Sequence, residues 1–376
     1  MASPDVHRQG GASSAGSAGS AGSAGSARVV ACETELIEDL GTLERLGDEI
    51  DGLQERTGAP ASARWAAVHV GMLHDAPARP WCVIVRRGSE IVGSALAVVR
   101  PRLGAWSIRG ATHPDEPGWL ASIDGRASDE LAAAIAGSLR GLRRPWGLEW
   151  RHLPAADPTL AALRARLPVS AMLPSAEHAQ LNCDANITDG LSRNTRSVVG
   201  RARKRIAEAG LRCEIAWTRD AARIAAQLEA VIGVQQRRNR QLRGHAGLDD
   251  PLQRTLFEQT VQAHADAGRA RLLTLRLDGA LAAFAICFEA SGILHVYSNM
   301  ASPDWLDYSP GTLANAEVVR AAGRDPGLQA VDWGLGLQRY KLSGPHVQVR
   351  HAAHFWAWSS RVGRLTWALG DRLVRR

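Results

Sequence analysis

The chain has 376 residues, of which 45% are hydrophobic, and a formal net charge of +7. That length suits two domains with real cores, and no apolar run approaches the roughly 18 residues of a membrane span, so a spanning protein is not expected. Five cysteines (Cys32, Cys82, Cys183, Cys213, Cys287) show no C-x-x-C pair and no histidine at metal-ligand spacing, so neither a metal site nor a disulfide framework is expected, and a reducing cytoplasm is the expected location.

The basic surplus is local. Residues 191–210 hold six basic residues and one acid, and residues 359–376 hold five and one. Charge this concentrated points to anionic ligands at particular places rather than to general affinity for nucleic acid.

Residues 1–27, with their tandem Ala-Gly-Ser units, offer neither burial nor caps and read as a disordered tail without the apolar core of a secretory signal. A strand is expected near residue 30, then helical patterns over 36–56 and 62–73. "WCVIVRRGSEIVGSALAVV" reads as two strands joined by a Gly-Ser turn, followed by a helix over 128–142 and the strand "GLEWRHL". A basic helix, "LSRNTRSVVGRARKRIAEAG", follows; its Thr195, Val198, Val199, Ala202, Ile206 and Ala209 share one arc of roughly 100°.

The same order then returns. The strand "LRCEIAWT" precedes helices over 220–242 and 251–267, a hairpin turning at Asp278-Gly279, the strand "ILHVYSNM", a helix after "YSPG", and the strand "LQAVDWGL". Arg86 and Arg276 enter matching turns, and Glu149-Trp150 and Asp332-Trp333 end matching strands. The pattern is that of a duplicated α/β unit, with a boundary at 170–190. The expected organisation is a tail at 1–27, a first unit at 28–180, a second at 181–358, and a basic amphipathic helix at 359–376 that packs on the domain or lies on a membrane surface.

The second unit holds the rare, chemically able side chains. All three tyrosines (Tyr297, Tyr308, Tyr340) fall there, and only two of the 45 basic residues are lysines, Lys204 and Lys341. A lysine placed beside Tyr340 differs from arginine in being a compact charge that can lose its proton. In "DYSPGTLANAEVVRAA", Ser309 or Thr312 can cap, Pro310 suits a helix start, and Gly311 permits close approach to the backbone. Such a first turn, with the helix dipole behind it, is a phosphate site in waiting. No G-x-S-x-G, G-x-x-x-x-G-K-[ST] or H-E-x-x-H motif occurs, so hydrolase and nucleotide-triphosphatase chemistry has no support.

Together "LSRNTRSVVGRARKRIAEAG", "LLTLRLDGALAAFAICFE", "DYSPGTLANAEVVRAA" and "VDWGLGLQRYKLSG" resemble the CelD-like, or BioF2-like, acyltransferases of the GNAT superfamily, relatives of the Fem-type aminoacyltransferases. The resemblance implies an α/β (α+β) chain of two tandem GNAT-like units, each a mixed, mostly antiparallel sheet flanked by helices. It implies acyl-CoA as cosubstrate, with Ser309, Gly311 and Thr312 facing the donor. Tyr308 or Asp332 would serve as base and Lys341 would stabilise the oxyanion, while Tyr297, Tyr340 and Arg196 would contact substrate. Tyr308 and Leu313 stand where acyl-CoA enzymes carry the basic and second small residue of Q/R-x-x-G-x-G/A, which keeps a charged tRNA open as donor. The expected reaction is N-acyl transfer to an amine on an amino sugar or cell-envelope precursor. The alternatives are tRNA-dependent aminoacyl transfer, or a non-catalytic scaffold of polysaccharide assembly.

Overall fold

The computed structural model describes residues 32–57, 78–102, 104–110, 120–167, 169–183, 191–342 and 346–361. The expected tail, the expected helix over 62–73 and all of the expected C-terminal helix beyond Arg361 lie outside these residues.

In the first half, β1 (Cys32–Ile37) leads through two helices, α1 (Leu40–Arg45) and α2 (Gly47–Thr57), to the hairpin β2 (Arg79–Arg87) and β3 (Glu90–Arg102). Then come β4 (Ala105–Gly110), β5 (Leu120–Ser122), α3 (Gly125–Arg140), β6 (Trp146–Pro154), α4 (Pro158–Arg166) and β7 (Ser170–Asn182). The second half opens with the basic helix α5 (Arg193–Glu208) and repeats the plan as β8 (Cys213–Thr218), α6 (Ala221–Arg243) and α7 (Pro251–Asp266). It continues with β9 (Ala270–Leu277), β10 (Ala280–Ala290), β11 (Ile293–Ala301), α8 (Pro310–Arg324), β12 (Ala330–Leu335) and β13 (Val347–Trp358).

Local chemistry explains most of these boundaries. Asp124, Asp157, Ser192, Asp220 and Asp250 each accept a backbone N–H in the first turn of the helix they precede, which satisfies donors the helix itself leaves unpaired. The β9–β10 turn places Asp278 and Gly279 at positive φ, 48° and 81°, as a two-residue hairpin requires. The paired arginines have the same job in both halves. Arg86 donates to the Ser89 carbonyl at 3.0 Å and Arg276 to the Gly279 carbonyl at 2.8 Å, each pinning its turn.

Among the described residues all thirteen strands join one sheet in the order β1-β2-β3-β4-β6-β13-β7-β12-β11-β10-β9-β8, with β5 beside β3. The pairs β4/β6 and β11/β12 are parallel and the other neighbours antiparallel. This is a mixed, mostly antiparallel sheet built twice. Helices cover both faces of each half: α3 and α4 on one side of the first and α1 and α2 on the other, and α5 with α8, then α6 with α7, on the two sides of the second.

The two copies meet through exchanged strands. The last strand, β13, lies between β6 and β7, and β7 lies between β13 and β12. Phe355 and Ala357 of β13 are buried in the first-half core, while Ala179 and Leu181 of β7 are buried in the second-half core. Among the described residues no helix is long and apolar enough to cross a membrane.

Candidate active site

The parallel pair of the second half parts early. β11 and β12 are in register only at Ile293↔Ala330, Leu294↔Val331 and His295↔Asp332, although β11 runs on to Ala301 and β12 to Leu335. Both strands carry an irregularity just beyond. Ile286 pairs with Ser298 and Cys287 with Val296, which leaves Tyr297 as the extra residue of a bulge in β11. The β12 register against β7 shifts between Asp332 and Leu335. Bulges bend a strand and re-aim its side chains, and here they divide the sheet into a wedge directly before α8.

At the apex of the wedge, Asp332 is 9% exposed and lies between two imidazoles. His178 Nδ1 is 3.3 Å from its Oδ1 and His295 Nδ1 is 3.6 Å from its Oδ2, while Gly334 N–H donates to Oδ1 at 2.9 Å. Burial by itself would raise this carboxyl, but the two flanking histidines outweigh it and hold the group well below the usual carboxylate range. Among the described residues no group of three or more His, Cys, Asp or Glu is arranged to hold a metal ion.

The first turn of α8 stands beyond the end of β11. A 3-10 turn, Pro303–Tyr308, delivers the chain to Ser309, whose φ of 53° and ψ of 45° are left-handed. Ser309 occupies the cap position, but its side chain makes no capping bond; its hydroxyl accepts instead from Arg205 Nη2 at 2.8 Å. Its carbonyl receives the N–H groups of Thr312 and Leu313 at 3.1 and 3.4 Å. Pro310 is the first helical residue. A Cβ on Gly311 would stand 3.3 Å from that of Ala301, so the glycine also sets how closely α8 approaches the end of β11.

The equivalent places in the first half are filled. β4 and β6 stay paired from Trp106↔Trp146 to Arg109↔Glu149, and β4 ends one residue later, at Gly110. Glu149, 6% exposed, holds Arg109 at 3.2 Å and Arg151 at 2.7 Å. A Cβ on Gly110 would come within 2.3 Å of Trp150 Cδ1, so the fully buried Trp150 takes up the space where a wedge would open. The first turn of α3 already holds a carboxylate: Asp124 accepts Ala127 N–H at 2.6 Å and pairs with Arg87 at 2.8 Å. The hydrogen bond from Arg87 is the main cause that lowers this carboxyl to about 2.

The sequence-derived candidates separate into groups. Ser309, Gly311 and Thr312 share the α8 turn, and Tyr308 packs beside them, its ring 6.0 Å from that of Trp305. Asp332, Tyr340 and Lys341 gather around the end of β12. Tyr340 meets Trp333 edge-on at 5.9 Å; partial burial raises its hydroxyl pKa against a hydrogen bond with Asn299, which in turn donates to Asn315 of α8 at 2.8 Å. Lys341, 6% exposed, donates from Nζ to the carbonyls of Leu335 and Gly334 at 2.6 and 3.3 Å. Tyr297 belongs to neither group and stacks between Phe288 at 4.8 Å and Phe257 at 5.6 Å, under α6 and α7. Arg196 is exposed near the start of α5; Arg205, nine residues along that helix, is the arginine that reaches Ser309.

His178, His295, Asn299 and Arg205 escaped the sequence reading. His178 lies on β7, outside the repeat landmarks, and is brought to Asp332 only by strand exchange. The one usable signal for His295 was its place on the strand before "YSPG".

A polar cavity of about 300 Å³ lies at the other end of β10 and β11, at the Ser291-Gly292 turn. Its Arg219, Arg269 and Arg271 are matched by Glu55, Glu289 and Asp325. Its arginines and carboxylates are paired with one another, and it reads as an ionic tie.

The fold of the second half is also similar to that of known proteins. The acetyltransferase (GNAT) domain family model matches residues 193–342, the stretch that holds the wedge, α8, Asp332 and Lys341. No curated protein matches the sequence. Among solved structures the chain is similar to FemX (11% identity, 86% of this chain and 96% of that one, TM-score 0.58). It is also similar to the C-terminal domain of a putative lysylphosphatidylglycerol synthetase from Agrobacterium fabrum (11%, 88% and 96%, 0.54) and to L-PGS from Bacillus licheniformis (14%, 90% and 99%, 0.50). At these identities the likeness is one of fold.

Proposed function

We propose that the second half is an N-acyltransferase centre of the CelD-like or BioF2-like kind, which moves an acyl group from acyl-CoA to an amine on an amino sugar or cell-envelope precursor. The observation that carries this reading is the parting of β11 and β12 after three paired residues, directly before a helix whose N-terminus has no side-chain cap. Partial positive charge from the α8 dipole and the Arg205 guanidinium at Ser309 suit the pyrophosphate of CoA, and a thioester threaded between the strands would bring its carbonyl toward Asp332 and the end of β12. The amine then attacks the thioester carbonyl, a C–N bond forms, the C–S bond breaks, and CoA leaves as the thiol.

In this reading Ser309, Gly311 and Thr312 hold the donor, and Tyr340 and Asn299 line the acyl path. Asp332, held so acidic, orients its neighbours rather than taking the amine proton itself, and Tyr308 remains a candidate for contact with the donor. Lys341 holds the Gly334-Leu335 backbone and adds positive charge near the developing oxyanion. The first unit, 28–180, is a structural partner of the catalytic unit, 181–358, in a cytoplasmic enzyme.

Transfer from a charged tRNA is the second reading, favoured by α5, whose Arg196, Arg201 and Arg203 are exposed on the helix that sends Arg205 to Ser309. The deciding experiment is thermal unfolding in the presence of acetyl-CoA, longer acyl-CoAs, free CoA and charged tRNA. A ligand of the native state stabilises it, by about 2.7 kcal/mol at one hundred times its Kd. A rise in Tm with acyl-CoA is expected; a rise with charged tRNA alone, abolished by neutralising Arg196, Arg201 and Arg203, would transfer the assignment to the second reading.

A further inference from the structure

One nitrogen of His295 is buried and unsatisfied. Its Nδ1 faces Asp332 Oδ2 at 3.6 Å, and its Nε2 is buried with no hydrogen-bond partner among the described residues. Native structures rarely leave a buried polar atom without a partner, so such an atom calls for an explanation. The residue stands at the last register pair before β11 and β12 part.

The alternation of the strands gives its direction. Leu294 and Val296 are buried in the cluster beneath α5 and α8, as are Val331 and Trp333 of β12 and Ala179 and Leu181 of β7. The intervening His295, Asp332 and His178 therefore face the opposite side, the α6 and α7 side. The donor's phosphates are read on the α8 side, so an acceptor approaching the carbonyl from the other face meets this histidine pair.

We infer that His295 is the general base of the transfer and accepts the amine proton at Nε2. Asp332 is a positioning residue: its carboxylate, 3.6 Å from Nδ1, favours the proton on that nitrogen and so keeps Nε2 as the lone-pair nitrogen, with His178 and Gly334 N–H fixing the carboxylate from its other oxygen. As the C–N bond forms the proton passes to Nε2; as the C–S bond breaks the imidazolium returns it to the departing sulfur. This rests on the acyltransferase reading and names a residue within it. In the first half the same register positions hold Arg109 and Glu149, a pair with no proton acceptor of this kind, so the base belongs to the second half alone.

The test uses the full chain with acetyl-CoA as donor and glucosamine, then other primary amines, as acceptor, with free thiol as the readout. H295Q is expected to lower kcat by about 10²–10⁴ while keeping its Tm and the Tm rise caused by acetyl-CoA, and H295A is expected to regain turnover with added imidazole. In ¹⁵N NMR spectra of the imidazoles at neutral pH, His295 should show the Nδ1–H tautomer in the wild type and lose that preference in D332N. Wild-type turnover in H295Q, or an Nε2–H tautomer in the native protein, overturns the inference while leaving the transferase standing. A wild type that neither binds nor turns over any acyl donor overturns the transferase reading and the inference with it.

Discussion

One pair of register positions decides much of the chemistry in each half. Arg109 and Glu149 make an ion pair at 3.2 Å where the first sheet stays paired; His295 and Asp332 face each other at 3.6 Å where β11 and β12 part, and the proposed proton acceptor stands there. Lys341 shows how one residue can serve the site through the backbone. Its ammonium is nearly buried and is received by two carbonyls of the β12 tail, so K341M leaves both without that donor. The variant is expected to lose about 1–3 kcal/mol of stability, read as a lower urea midpoint at constant slope. An unchanged midpoint would show that the tie contributes nothing. The sequence pointed to Lys341 through its rarity, its place beside Tyr340 and a family resemblance, none of which says which way a side chain turns.

At the scale of elements, α3 and α8 are the same helix in two states of readiness. α8 follows the fourth strand of its copy and α3 the short β5 after the fourth, but α3 begins with its own carboxylate and α8 begins with a serine whose side chain does not cap. Moving the carboxylate across is therefore informative. S309D places a negative charge at the first turn of α8, a change the helix dipole favours and a left-handed aspartate tolerates. It is expected to leave Tm near the wild-type value or above it and to weaken acetyl-CoA binding at least tenfold by calorimetry. Undiminished binding would remove the α8 turn from the donor site. The elements themselves were largely legible. Asp220, Asp250 and Pro251 mark helix starts, the Asp278-Gly279 turn marks its hairpin, and periodicity did the rest, because caps and turns are local chemistry. The bulge at Tyr297 was not legible, since it exists only relative to β10. Three members of the expected apolar arc of α5 (Val199, Ala202 and Ile206) are buried, whereas Ala209 is exposed beyond the helix end.

At the scale of the whole molecule, β7 and β13 make the two copies one sheet. Each serves both cores: β13 packs Val347 against the second and buries Phe355 in the first, and β7 packs Met172 against the first and buries Leu181 in the second. A chain ending before His346 would leave β6 and β7 with unpaired edges and remove Phe355 and Ala357 from the first-half core. It is expected to lose cooperative unfolding in both halves, as followed by tryptophan fluorescence and far-UV circular dichroism. A sharp transition retained in the second half would show that half to be independent of its last strand.

The sequence by itself determined the duplication, the order of most strands and helices (β4, β5, α4 and β7 excepted), the chemistry of the caps and turns, and the concentration of reactive side chains in the second copy. These come from periodicity, capping residues and composition, which act over a few residues at a time. Only the tertiary structure decided that β11 and β12 part beside Asp332, that Trp150 and Asp124 fill the matching places in the first copy, and that His178 arrives from 154 residues away to share a carboxylate with His295. Those outcomes depend on which strands become neighbours and in what register, a choice made by the two cores as they pack together and not encoded in any single stretch of the chain.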